Sequence, residues 1–134
     1  MAKASAPELP AGVRSTAARR AVLRAVESSP GRFTVAELYA RARKLHPRLG
    51  LATTYRTLEL LRDTGSVHAL PGDERASYVK CHPGHHHHLV CTKCGSVEET
   101  DLCAAPTEQE LRRRHGFVPD SHEVDIYGRC ARCA

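Results

Sequence analysis

An α+β chain, with an N-terminal winged helix-turn-helix followed by a small α/β unit around a four-cysteine zinc site, is the fold this sequence predicts. Three observations lead there. Three helical segments with clear start and stop signals precede a two-strand hairpin. Charge divides the chain: residues 1–64 carry 12 Lys/Arg against 5 Asp/Glu, and residues 65–134 carry 8 against 10. All six cysteines and eight of the nine histidines fall in the second stretch. The division reads as a basic unit over residues 1–80 and a metal-binding unit over residues 81–134.

The 134 residues suffice for one ordinary domain or two very small ones. Aromatics make up only 4% and there is no Trp, so the core must be aliphatic. Small aliphatic cores often need a metal or a partner subunit. Residues 1–12, rich in Ala and Pro, read as a loose arm. "RSTAARRAVLRAVESSPG" gives a first helix, with Ala18, Val22, Ala25 and Val26 on one stripe and Pro30-Gly31 as its end. "TVAELYARARKLHP" opens on a capping box, Thr34 with Glu37, and stops at Pro47. "LATTYRTLELLRDTG" gives a third helix that buries Leu51, Tyr55, Leu58 and Leu61 and stops at Gly65. Its exposed face carries Thr53, Arg56 and Thr57. "SVHALPG" and "ASYVKC" are short strands joined by a Pro71-Gly72 turn. Three helices and a hairpin follow the order of a winged helix, whose third helix enters the major groove. The basic balance of this half suits an anionic partner, nucleic acid first.

From Cys81 onward, "HHHHLVC", "SVEETD" and "FVPDSHEVDIYGRC" read as strands. "PTEQELRRRHG" is a helix capped by Thr107 and Glu110 and stopped by Gly116. The first twenty residues show no apolar leader, and no run approaches transmembrane length. C-x-x-C pairs without a leader point to metal ligation in a reducing cytoplasm rather than to disulfides.

The strongest chemical motif pairs Cys91-x-x-Cys94 with Cys130-x-x-Cys133. Four thiolates are the tetrahedral set of structural zinc and leave no open coordination position. The consecutive histidines follow from strand geometry, since alternate side chains point to opposite faces. His85 and His87 share one face, His86 and His88 the other, so the run makes two half-sites. His68 on the wing, Cys81, His86 and His88 form a set of three nitrogens and one sulfur suited to zinc, with Glu99 in reserve. His85 and His87 need partners from the last strands: His122, and then Glu108, Cys103 or Asp101. His82 has no evident role and is expected to be exposed. A zinc hydrolase or deaminase is disfavoured, because neither H-E-x-x-H nor H-x-E…P-C-x-x-C occurs. A zinc-ribbon adaptor for nucleic acid or protein would account for the four cysteines and leave the paired histidines idle.

"GLATTYRTLELLRDTGSV", "HHHHLVCTKCGSVEE" and "HGFVPDSHEVDIYGRCARC" together resemble the ferric uptake regulator family of metal-sensing repressors over nearly the whole chain. The resemblance implies a winged helix joined to an α/β dimerisation domain. It also implies a homodimer that binds palindromic operator DNA when its regulatory metal is bound. It gives Tyr55 and Arg56 major-groove contacts and puts Arg14 where a basic residue reaches the minor groove. The zinc uptake branch is the nearest in pattern, matching Cys81, His86 and His88 as regulatory ligands. Iron, nickel and peroxide sensors carry a histidine where this chain has Arg32, which argues against those branches and for zinc; a regulator of the same family responsive to iron, manganese, nickel or peroxide is the alternative. The family's acid for a third site corresponds to Ala105, so Glu108 enters from the residues alone.

Overall fold

The computed structural model describes residues 6–70, 76–81 and 85–134. The Pro71-Gly72 turn and His82 lie outside the described residues. The chain forms two compact units, Met1–Gly84 and His85–Ala134. No helix among the described residues is long and apolar enough to cross a membrane.

The first unit runs α1 (Ala17–Glu27), β1 (Phe33–Thr34), α2 (Val35–Leu45), α3 (Leu51–Asp63), β2 (Val67–Leu70) and β3 (Ser77–Lys80). Helices α1 and α2 start where a threonine satisfies amides left unpaired by the first turn. The Thr16 hydroxyl accepts from the Arg19 amide at the start of α1. Thr34 and Glu37 close a reciprocal capping box at the start of α2. Gly65, with φ at +73°, follows α3 in the left-handed region that favours glycine. The strands form an antiparallel sheet in the order β1-β3-β2, with His68 opposite Val79. Helices and sheet enclose one core of mostly aliphatic residues, among them Val22, Val26, Leu38, Leu58 and Leu61, but with the aromatic pair Phe33 and Tyr78 stacked within it, so the core is not purely aliphatic. Fully burying one such side chain contributes about 1.5–3 kcal/mol.

Two expectations for this unit need correction. The buried stripe of α3 is Thr54, Thr57, Leu58 and Leu61. Leu51 and Tyr55 are 47% and 49% exposed, while Thr57 is wholly buried. The two buried threonines are tolerated because each hydroxyl donates to a carbonyl one turn back, Thr54 to Gly50 at 3.1 Å and Thr57 to Thr53 at 2.7 Å. With threonines able to face the core, the stripe rotates away from Leu51 and Tyr55. Nor is the arm loose throughout. The Glu8 amide donates to Ser66 Oγ, and its carbonyl accepts from Thr64 Oγ1 at 2.9 Å.

The second unit runs β4 (His87–Cys91), β5 (Val97–Thr100), α4 (Glu108–His115) and β6 (Asp125–Gly128). Its sheet has the order β5-β4-β6, antiparallel between β4 and β5 and parallel between β4 and β6. The closing strand is shorter than expected, so His122 precedes it. Helix α4 keeps its Thr107–Glu110 capping box and ends at Gly116, φ +62°. It buries none of its residues. The unit has little apolar interior: Val90 and Cys91 are buried, and the other buried positions of β4 are His87 and His88.

Candidate metal centres

Three groups of ligating side chains lie within the second unit, all positioned by β4. The first is at its end. Cys91 closes the strand, a turn carries the chain to Cys94, and Gly95 at φ +75° reverses it into β5. Parallel pairing sets Cys91 opposite Gly128, so the segment after β6 brings up Cys130 and Cys133. The four sulfurs lie within 4.8 Å of one another, with Cys94 and Cys130 at 3.7 Å. All six cysteines of the chain lie outside disulfides.

The amides of Cys94 and Cys130 both donate to Cys91 Sγ, at 3.5 and 3.4 Å. These bonds pull the Cys91 thiol down to about 5, so it is a thiolate at neutral pH. Hydrogen bonding with Cys130, and then burial, push the Cys133 thiol up to about 12. Four sulfurs this close resist holding more than one negative charge unless a cation shares them. The donor set and its amide support fit a tetrahedral zinc that would be held by Cys91, Cys94, Cys130 and Cys133.

The second group sits on one face of β4. The His86 and His88 rings stand nearly perpendicular with centroids 5.0 Å apart. Glu99 is opposite His88 on β5, and one donor atom from each of the three lies within 4.8 Å of the others. His88 is 4% exposed, and its Nδ1 meets Asp125 Oδ1 at 3.2 Å. A carboxylate on one ring nitrogen orients a histidine whose other nitrogen binds metal. Asp125 was not anticipated from sequence. Its place depends on the parallel β4–β6 pairing, which no local signal announces.

The third group is on the opposite face. His85, His87, Cys103 and His122 each offer a donor atom within 4.8 Å of the rest. His85 and His87 have ring centroids 4.7 Å apart, and His122 lies 4.8 Å from His85. Cys103 Sγ is 3.4 Å from His122 Nε2. Glu108 is not in this group: its carboxylate accepts from Arg112 Nε at 2.8 Å, one turn along α4. His87 is 2% exposed, and neither ring nitrogen makes a well-formed hydrogen bond among the described residues. Burial, then the charges of His85 and His122, hold its pKa below the usual histidine value; the nearby Val124 backbone offsets this in part.

In the first unit, His68 is half-buried on β2. Cys81 is buried just after β3, its amide donating to the Ser66 carbonyl at 2.9 Å. Tyr55 and Arg56 project from the exposed side of α3, Thr53 is partly covered, and Arg14 is exposed ahead of α1.

A winged helix followed by a unit crowded with metal ligands defines a metal-responsive, DNA-binding transcriptional regulator. The family model "Ferric uptake regulator family" matches residues 10–127. The chain belongs to the ferric uptake regulator family. It is similar to a zinc uptake regulation protein of Mycobacterium tuberculosis, 38% identical over 125 residues, covering 92% of this chain and 96% of that protein. It is also similar to a ferric uptake regulation protein of Campylobacter jejuni, 31% identical over 126 residues, covering 91% and 80%. Its fold matches a ferric uptake regulator from Francisella tularensis solved with iron, with TM-score 0.70 at 22% identity, covering 92% and 96%.

Proposed function

We propose that this regulator is a zinc-responsive repressor that binds palindromic operator DNA as a homodimer. The observation that carries this reading is the second ligand group, with His86 and His88 at 5.0 Å on one strand face and Glu99 opposite. Imidazole donors suit zinc, and the sequence pattern adds His68 and Cys81 of the first unit as a nitrogen and a sulfur donor. Arg32, where iron, nickel and peroxide sensors carry histidine, and the similarity to a zinc uptake regulator point the same way. Zinc bound there would supply a cross-link between ligands of the two units.

The residues of the chain do the rest. Cys91, Cys94, Cys130 and Cys133 would hold a permanent structural zinc. Asp125 orients the His88 ring. Arg56 and Tyr55 meet base edges and phosphates in the major groove, Thr53 borders them, and Arg14 reaches the minor groove. Leu89 and Ile126, register partners on one sheet face, are both exposed and suit a partner subunit. Fixing the separation of two DNA-binding units favours one half-site spacing, and DNA must in return tighten zinc binding by the same factor.

The test is operator affinity against buffered free zinc. For the unsubstituted chain we expect tight binding only with zinc present, with a steep salt dependence. His86→Ala with His88→Ala should remove the zinc dependence while leaving the four-cysteine zinc in place. Unchanged zinc dependence in that variant would refute the reading.

A further inference from the structure

We propose that the thiolate of Cys103, rather than a carboxylate, completes a further zinc-type site of three nitrogens and one sulfur with His85, His87 and His122. The donor geometry is the first support. Four ligating atoms from β4, the segment before it and two separate loops converge within 4.8 Å. Cys103 Sγ already lies 3.4 Å from His122 Nε2. Neither loop residue belongs to a helix or strand that would bring it there for packing reasons.

The second support is independent. His87 is 2% exposed, yet both ring nitrogens lack a well-formed hydrogen bond among the described residues. A buried polar group left unsatisfied is a rarity in folded proteins, and such a ring is stable where a cation takes up one nitrogen. His85 and His122 face it at centroid distances of 4.7 and 5.3 Å, and Cys103 is the remaining donor. Neither carboxylate that the sequence offers nearby, Asp101 or Glu108, joins the group, and Glu108 is engaged with Arg112 instead.

A thiolate changes what the site takes. Three imidazoles and one sulfur prefer zinc or cobalt(II) over iron(II), manganese(II) or magnesium, which suit oxygen-richer sets. Cys103 and His122 are exposed while His87 is buried. Metal therefore enters and leaves past the sulfur, and the sulfur is the donor that thiol reagents can reach. The site is distinct from the His86/His88 group on the other face of β4 and does not depend on the regulatory reading above.

The experiment is alkylation of the full-length, structurally zinc-loaded protein with iodoacetamide, read at Cys103 by peptide mass spectrometry, with and without added zinc. We expect zinc to slow Cys103 modification about tenfold or more, because a coordinated sulfur is no longer a free nucleophile. His85→Ala with His122→Ala should abolish the protection and lower the zinc content by one ion per chain. His86→Ala should leave it intact, which separates this site from the regulatory one. A Cys103→Ser variant should still fold, by circular dichroism, and lose the thiolate-to-metal charge-transfer contribution of this site when cobalt(II) is the probe. Equal modification rates with and without zinc would overturn the proposal. So would protection that survives loss of His85 and His122.

Discussion

The two units of this chain are held together by different physics. The first encloses an apolar core in which Val22, Val26, Phe33, Leu38, Leu58 and Leu61 are almost wholly buried. The second is a three-stranded sheet with a helix that buries nothing, and its most buried positions are Val90, Cys91, His87 and His88. A core of imidazole and thiol groups gains little from leaving water. The difference teaches that in the second unit the ligands serve both fold and function, whereas in the first the fold is independent of the chemistry it presents.

The largest expected effect breaks the second unit. Cys130→Ser removes one of four thiolates whose zinc would contribute on the order of 10–16 kcal/mol. We expect loss of one tightly held zinc and of the sheet's circular dichroism, with the helices of the first unit retained. Leu58→Ala should do the reverse on a smaller scale. A buried leucine replaced by alanine costs about 2–5 kcal/mol, so thermal unfolding of the first unit should shift downward while zinc content stays constant. The smallest effect sharpens the contrast. Thr107→Ala and Thr34→Ala each remove a capping box, at about 1 kcal/mol. Thr34→Ala should lower the melting temperature of the packed first unit. Thr107→Ala should fray only α4, seen as faster amide exchange there. The Thr107 backbone and hydroxyl hold the Glu110 carboxyl below its usual range, so the Glu110 half of this cap is present in the ordinary carboxylate range and above, and is lost as pH falls through the lowered value.

Much of this was legible in sequence where the governing interactions are local. Capping boxes at Thr34 and Thr107, the glycine stop after α4 and the alternation of His85 to His88 depend on neighbours within a few residues. The face of α3 was not, because apolarity alone cannot reveal that Thr54 and Thr57 satisfy their hydroxyls on the helix itself. Asp125 was harder still, and Cys103 was legible only as one of three candidates beside Glu108 and Asp101. One reaches His88 through a parallel strand pairing and the other reaches His122 across 19 residues of chain. The four cysteines were read from spacing because two C-x-x-C turns each impose their own geometry.

The most direct test is residue-resolved amide hydrogen exchange on zinc-loaded protein and on protein stripped by a strong chelator. With the first unit standing on its apolar core and the second on its metal ligands, chelation should collapse protection across β4, β5 and β6. Protection at Leu58 and Leu61 in α3 should persist. Loss of protection in both units together, or no change in either, would contradict that division.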